Sequence, residues 1–153
     1  MYLPRFGSSC EDAPPALAEY SNSFFWNNNR GAETVLSGLI HFNNLTAVGN
    51  VRAGLSAMES ALPEWPGLTF KNSLIVARLD SQPCLGTKSK STVGIETPWK
   101  RGSFTAQNIT FVNFDHEHCV AVDPCYKAYK NDCGNTGKFE ETKFINSSNR
   151  KIE

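Results

Sequence analysis

The chain has no long hydrophobic run, no excess of either charge and no basic leader followed by an apolar segment. No stretch approaches the roughly 20 apolar residues of a membrane-spanning helix, and Lys+Arg and Asp+Glu are balanced at 15 each. The balance argues against nucleic-acid binding and against a polybasic membrane patch. Because the amino terminus also lacks a signal peptide, we expect a piece of a longer extracellular protein, with signal peptide and anchor elsewhere.

The five cysteines lack the C-x-x-C pairs that are typical of zinc sites. Cys119, Cys125 and Cys133 lie within fifteen residues of one another. Such clusters around short polar loops are common among the disulfides of secreted proteins, whereas buried thiols in a cytosolic protein are the alternative. We therefore predict disulfides among these three cysteines, with an odd thiol left free or paired outside the chain.

What the sequence does contain is phenylalanine and asparagine, and the two recur together. Phe-x-Asn occurs five times, whereas composition predicts about one chance match. Short apolar runs between polar turns are typical of strands rather than helices. The five copies are Phe25/Asn27, Phe42/Asn44, Phe70/Asn72, Phe111/Asn113 and Phe144/Asn146.

The spacing of the five copies favours one repeat architecture. Successive phenylalanines are 17, 28, 41 and 33 residues apart, which is too irregular for a propeller or a helical solenoid, whereas a β-helix keeps its strands while its loops grow. We predict an all-β fold, a right-handed parallel β-helix of about four to five coils. Its stacked aromatic and amide side chains are predicted to be Phe42, Asn44, Phe70, Asn72, Phe111, Asn113, Phe144 and Asn146.

Two regions depart from the strand pattern. Residues 50–62 have apolar side chains at near-helical spacing between Asn50 and Pro63, which predicts a short helix. Residues 1–20, with Pro14 and Pro15, are expected to be irregular or the remnant of another domain. The β-helix repeats are then expected to occupy residues 21–153.

The densest group of titratable residues runs from Asp115 to His118. On an extended segment, His116 and His118 project to one face and could hold a metal or transfer a proton. The alternative is a solvated turn between strands, which we favour because the sequence offers no third ligand. We therefore predict no catalytic residue, no metal and no cofactor, and keep the two histidines as the candidates to test.

Polysaccharide-cleaving β-helices use charged side chains from successive coils. Each charge of this chain that could serve is equally explained as an ordinary exposed residue: Lys71, Arg78, Asp80, Lys100 and Arg101. The three tryptophans, Trp26, Trp65 and Trp99, either fill a core or stack on sugar rings.

Three glycosylation sequons occur, at Asn44, Asn108 and Asn146. Asn44 and Asn146 belong to Phe-x-Asn copies, and an amide bonded within a ladder does not readily accept a glycan. Asn108 is therefore the glycosylation candidate.

From residue 108 the chain reads N-I-T-F-V-N-F-D, then Cys119, then A-V-x-x-C and a later K-F-I-N-S-S-N. This block, with T-P-W-K-R-G-S-F before it, resembles the extracellular β-helix of the fibrocystin and fibrocystin-like proteins over about residues 92–149. Cell-surface hyaluronidases of the cell-migration-inducing type carry a similar β-helix. Cys119 and Cys125 match the first two cysteines of the family, whereas Cys133 lies later than the third.

The resemblance implies a pectin-lyase-like β-helix in a very large extracellular glycoprotein with one membrane anchor. It implies a receptor-like role without an established reaction. We therefore predict a non-enzymatic scaffold or receptor-like segment at the cell surface, whose partners are the rest of a larger ectodomain and a protein or glycan ligand. The alternatives are a fragment of a β-helix enzyme that acts on hyaluronan-like polysaccharide, and a stand-alone interaction module.

Overall fold

A computed structural model describes residues 2–3, 18–34, 40–57, 68–96, 102–123 and 135–148. Within these ranges the chain forms strands and turns, and no helix. The strands are β1 Tyr2–Leu3, β2 Ala18–Ser21, β3 Phe24–Trp26, β4 Arg30–Thr34, β5 Ile40–Asn43, β6 Thr46–Val48, β7 Ala53–Ala57, β8 Leu68–Val76, β9 Thr92–Glu96, β10 Gly102–Val112, β11 Cys119–Asp123, β12 Asn135–Glu140 and β13 Lys143–Ile145.

The described strands pair in parallel and form two sheets. The smaller sheet has the order β1-β4-β7-β9-β11, and the larger has the order β12-β10-β8-β5-β2 with β3, β6 and β13 beside this path. Neighbours in a sheet are not consecutive in the chain, because the chain visits the other sheet before it returns. The predicted all-β class with parallel strands is confirmed.

Five successive repeats account for this strand order. Each repeat has a first and a second segment in the larger sheet, joined by a bend, and repeats 1 to 4 add a third segment in the smaller sheet. The first segments are β2, β5, the starts of β8 and β10, and β12. The second segments are β3, β6, the ends of β8 and β10, and β13; the third segments are β4, β7, β9 and β11.

The phenylalanines lie in two columns rather than one. Phe42 stacks on Phe70 with ring centroids 5.3 Å apart, and Phe111 stacks on Phe144 at 5.4 Å. Phe70, however, pairs with Ala106 and not with Phe111, so the prediction of a single stack is wrong. The first-segment column is Tyr20, Phe42, Phe70, Ala106 and Phe139. The second-segment column is Phe25, Ala47, Ile75, Phe111 and Phe144.

The two columns explain the irregular spacing of Phe-x-Asn. In every repeat the two column positions are five residues apart, as Tyr20 and Phe25 are, and equivalent positions in successive repeats are 22, 28, 36 and 33 residues apart. The spacing of 17 is the repeat of 22 shortened by five, because the motif moves from the second segment to the first. The spacing of 41 is the repeat of 36 lengthened by five, because the motif moves back.

The residue two positions after each column residue turns the chain. After the first segments, φ lies between 50° and 54° at Asn22, Asn44, Asn72, Asn108 and Glu141. After the second segments, φ lies between 45° and 63° at Asn27, Gly49, Asn113 and Asn146. This left-handed region suits glycine and is tolerated by asparagine, whose short side chain bonds locally. The asparagine of the motif therefore has a backbone role besides its side-chain bonds.

The core lies between the two sheets. Phe42, Phe70 and Phe111 are each no more than 1% exposed, and the aromatic columns form its centre. All five residues of β9 are buried, which means that this strand is covered on both faces. Gly94 in β9 leaves the space that the second column needs, since a Cβ there would meet the Phe111 ring at 2.8 Å.

The helix predicted over residues 50–62 is wrong for its first half, because Ala53–Ala57 forms β7. Leu55 of β7 is fully buried and pairs with Ala32 and Ile95. Asn50 does not cap a helix: its side chain accepts a hydrogen bond from the Asn28 amide at 3.1 Å. Sheet pairing buries the apolar residues that suggested a helix, and residues 58–62 lie outside the described ranges.

The repeats begin earlier than the predicted boundary. β2 starts at Ala18 and pairs with β5, so a boundary after residue 20 falls within a strand. Upstream, Tyr2–Leu3 pairs with β4, while residues 4–17 lie outside the described ranges. Part of the segment predicted to be irregular therefore belongs to the two sheets.

Candidate functional site: the cavity beside the second asparagine ladder

A cavity of about 320 Å³ lies where the loop between β8 and β9 meets the turn between β10 and β11. Sequence reasoning selected Arg78, Asp115 and His116 separately, and the fold brings all three together at this cavity. The residues that line it are Arg78, Gln82, Pro83, Cys84, Asp115 and His116.

Arg78 joins the two walls of the cavity. Its Nη2 donates to both carboxylate oxygens of Asp115 at 2.8 Å, and its Nη1 donates to the carbonyl oxygens of Gln82 at 3.0 Å and Asp80 at 3.4 Å. Arg78 and Asp115 are only 16% and 28% exposed. A charge-assisted contact to both carboxylate oxygens is strong and directional, so Arg78 fixes the loop to the turn and is not an ordinary exposed charge.

The asparagine ladder of the second segments ends at this cavity. The Asn146 amide donates to Asn113 Oδ1 at 2.9 Å and approaches Asp115 Oδ2 at 3.4 Å. Asn113 in turn donates to the Arg78 carbonyl at 2.8 Å and to Asp80 Oδ1 at 2.9 Å. The ladder therefore supports the cavity loop, and the carboxylates of Asp80 and Asp115 both accept bonds from fixed donors.

A disulfide joins the cavity loop to β11, between Cys84 and Cys119, with Cα atoms 6.0 Å apart. The prediction that Cys119 pairs within its own cluster is wrong for this residue. The loop lies directly on the turn before β11, where a Cβ at Gly86 would meet the His118 carbonyl oxygen at 1.9 Å. This close approach brings Cys84 to Cys119, while Cys125 and Cys133 lie outside the described ranges.

His116 and His118 lie in the turn at the cavity rim, and not on one face of an extended strand. Their ring centroids are 5.6 Å apart. His116 Nδ1 accepts a hydrogen bond from the His118 backbone amide at 3.2 Å, and His118 Nε2 lies 3.1 Å from Glu117 Oε1. Among the residues that the structure describes, no group of three His, Cys, Asp or Glu side chains could hold a metal ion.

The first-segment ladder includes the predicted glycosylation candidate. The Asn44 amide donates to Asn22 Oδ1 at 2.7 Å, the Asn72 amide to Asn43 Oδ1 at 2.9 Å, and the Asn108 amide to Asn72 Oδ1 at 2.9 Å. Asn108 was expected to lie outside the ladder, and this expectation is wrong. It occupies the bend of the fourth repeat, so its amide is engaged in the same way as those of the other two sequons.

A second charged cluster ties three third segments together and was missed by sequence reasoning. Glu96 of β9 is 4% exposed and accepts hydrogen bonds from Arg30 Nε at 3.2 Å, Arg52 Nη2 at 3.3 Å and Ser56 Oγ at 2.8 Å. These partners are 40 to 66 residues away in sequence. Only the register of the smaller sheet brings them together, and no local motif announces it.

The remaining candidates do not join the cavity. Lys71 is exposed on the outer face of a first segment, and Trp26 is 64% exposed, so it does not fill the core. Near the end of the larger sheet, the pKa of Lys138 is raised because Glu140 accepts a hydrogen bond from its ammonium group and attracts its charge. Four candidates lie outside the described ranges: Trp65, Trp99, Lys100 and Arg101.

The amino-acid sequence is similar to that of fibrocystin-L. The protein from Homo sapiens is 30% identical over 158 residues, which cover 97% of this chain, and that from Mus musculus is 32% identical over 127 residues, or 79% of this chain. Fibrocystin from Mus musculus is 29% identical over 85% of this chain. The chain belongs to a fibrocystin-like family. The resemblance drawn from residues 92–149 is thereby confirmed.

This fibrocystin-like chain spans only 3% to 4% of the length of these relatives. No family model matches it, and no solved structure does. Among its described residues, no helix is long and apolar enough to cross a membrane.

Proposed function

We propose that this fibrocystin-like chain is a non-enzymatic, receptor-like segment of a cell-surface protein and belongs to a larger ectodomain. The similarity to fibrocystin-L over 97% of the chain carries this proposal. The cavity supports it, because Arg78, Asp80 and Asp115 bond to one another's segments and to the ladder. Groups that hold a loop in place in this way are poorly suited to proton transfer, which needs a group within reach of substrate.

The repeats are proposed to close into a right-handed, pectin-lyase-like parallel β-helix. In-register parallel pairing between successive repeats supports this architecture, and parallel crossovers are right-handed in about 98% of cases. A crystal structure of the chain is expected to show one continuous right-handed path through the three segments of each repeat. A sandwich of two separate sheets, or a left-handed path, would contradict the proposal.

An extracellular location is proposed from the disulfide, since disulfides persist in oxidising compartments. Non-reducing peptide mapping of the protein secreted from cultured cells should recover Cys84 linked to Cys119. The matched control is the same digest after reduction, in which the linked peptide disappears. Recovery of Cys119 as a free thiol, or linked to Cys125, would contradict the pairing.

The competing function is cleavage of hyaluronan-like polysaccharide. Incubation of the chain, and of a longer ectodomain that contains it, with high-molecular-weight hyaluronan should leave the size distribution unchanged in size-exclusion chromatography with light scattering. An active hyaluronidase serves as the positive control. Shortening of the polymer by either protein would overturn the non-enzymatic proposal.

A further inference from the structure

Two aromatic side chains stand on the outer face of the larger sheet, at its first repeat. Phe24 is 61% exposed and Trp26 is 64% exposed, and their rings meet edge to face with centroids 6.5 Å apart. Both belong to a second segment, whose inner residue, Phe25, packs against the core. The strand therefore holds the two rings outward on a backbone that is fixed by the sheet.

Three amide side chains follow Trp26 directly. Asn27, Asn28 and Asn29 are all exposed. Their backbones are held by the next repeat: the carbonyl oxygens of Asn28 and Asn29 accept bonds from the Val51 and Arg52 amides, both at 2.8 Å. Within the described ranges, the side-chain amides of these three asparagines make no hydrogen bond, so their donors and acceptors remain available to a ligand.

The apolar surface continues from this corner along the sheet. In register with Trp26 lie Val48, Val76, Val112 and Ile145. With strands about 4.8 Å apart and side chains on one face about 7 Å apart, the stripe measures about 20 Å by 7 Å. Stable protein interfaces bury roughly 800 Å² per partner, so a second copy of the chain or another folded protein is a poor match for this surface.

Charge also restricts the occupant. Phe24, Trp26 and the three asparagines carry no charge, and the register partners of Phe24 are Thr46, Leu74 and Thr110 before the first charged residue, Lys143, at the far end. Arg30, the nearest arginine in sequence, is engaged with Glu33 and Glu96. An uncharged surface complements a neutral ligand and offers nothing to an acidic one.

We propose that Phe24, Trp26 and Asn27 to Asn29 form a binding site for a neutral oligosaccharide. A sugar ring has an apolar C–H face, which packs on an exposed aromatic ring, and hydroxyl groups, which both donate and accept hydrogen bonds. Indole and amide side chains match these two properties. The inference rests on the proposed receptor-like function and names the class of ligand.

The test titrates the whole chain, labelled with ¹⁵N, with the hexasaccharides of β-1,4-linked glucose and of β-1,4-linked N-acetylglucosamine. Hyaluronan hexasaccharide is the acidic comparator. A neutral hexasaccharide is expected to shift the Trp26 indole N–H resonance, which is assigned by its loss in Trp26→Phe. Trp26→Ala should weaken binding about tenfold, since aromatic anchors dominate most binding sites, and Trp26→Phe should weaken it less.

Leu79→Ala is the matched control, because Leu79 is 46% exposed but lies on the cavity loop. It should leave binding unchanged, and Trp26→Ala should leave the melting temperature unchanged because the side chain is exposed. Absence of binding, equal binding by Trp26→Ala, or preference for hyaluronan would overturn the proposal. Self-association that Trp26→Ala abolishes, without any effect of saccharide, would assign the surface to a second copy instead.

Sizing the saccharides after the titration separates this inference from the proposed function. Binding with intact saccharide supports both. Binding with cleavage overturns the non-enzymatic function and leaves the site standing, whereas neither binding nor cleavage overturns the site alone.

Discussion

The first and second segments belong to the same sheet, yet their outer faces are opposite in character. Every outer position of the first segments is polar: Glu19, His41, Thr69, Thr105, Lys138, Ser21, Asn43, Lys71, Gln107 and Glu140. Most outer positions of the second segments are apolar: Phe24, Trp26, Val48, Leu74, Val76, Val112 and Ile145.

The inner faces of the two segments do not differ in this way. Both carry a column of aromatic and aliphatic side chains, because both close the same core. Alternation of buried apolar and exposed polar residues is usual where one face of a sheet meets water. The first segments follow it, and the second segments depart from it only on the outside, so the departure is not explained by the core. A contiguous exposed apolar surface is a typical binding surface.

The largest expected difference is between the inner and outer faces of the second segments. Phe111→Ala should lower the free energy of unfolding by about 3–5 kcal/mol, because it removes a fully buried aromatic ring. Phe24→Ala should change it by no more than about 0.5 kcal/mol, since the ring is exposed. Urea denaturation of both variants measures the contrast, and equal losses would mean that the outer face is not free.

The bend that separates the two segments is the next place to intervene. Asn72→Ala should cost about 2 kcal/mol, because alanine is strained at the φ of 50° and the amide bonds of Asn72 are lost. Asn72→Gly keeps the backbone conformation and should cost about half as much. Denaturation midpoints of the pair separate the two contributions. If both variants lost the same stability, the conformational role of asparagine would be excluded.

A smaller effect, of opposite sign, is expected at the fifth bend. Glu141 occupies the left-handed conformation with φ of 51°, where its four equivalents are asparagines. Glu141→Asn should raise stability by about 1 kcal/mol, since asparagine tolerates this conformation better. The same substitution at the exposed Glu19, in a regular strand, is the control and should not stabilise. A destabilised Glu141→Asn would contradict the equivalence of the five bends.

The smallest effect on stability is expected for the apolar stripe itself. Leu74→Thr should change the unfolding free energy by less than about 0.5 kcal/mol, because Leu74 is 38% exposed. It would make one outer position of a second segment resemble those of the first. Sedimentation at increasing concentration should show less association for the variant than for the parent chain. A large loss of stability would indicate that the stripe is covered in the folded protein.

The sequence predicted the strands and the pairing of aromatic with asparagine, since both are local. It did not predict that the motif occurs in two series, because Ala106, Ala47 and Ile75 replace phenylalanine where the columns have less space. Ser21 to Asn27 already contains both bends of a repeat, although only one of them follows a phenylalanine.

The candidate site was predicted only in part. Arg78, Asp115 and His116 were each selected for their chemistry, but their proximity depends on a loop that spans more than ten residues between β8 and β9. The Cys84–Cys119 pairing and the Glu96 cluster join positions 35 to 66 residues apart. Contacts of that range follow from strand register, which composition and local spacing do not encode.

The constant five-residue interval between the columns has a consequence for growth and insertion. Repeats of 22, 28, 36 and 33 residues all preserve it, so differences of up to fourteen residues have been absorbed elsewhere in the repeat. The added length costs little conformational entropy, since loop closure depends only weakly on loop length. A foreign peptide inserted between a third segment and the next first segment should therefore be tolerated, and the number and content of such insertions can diversify while the sheets stay the same.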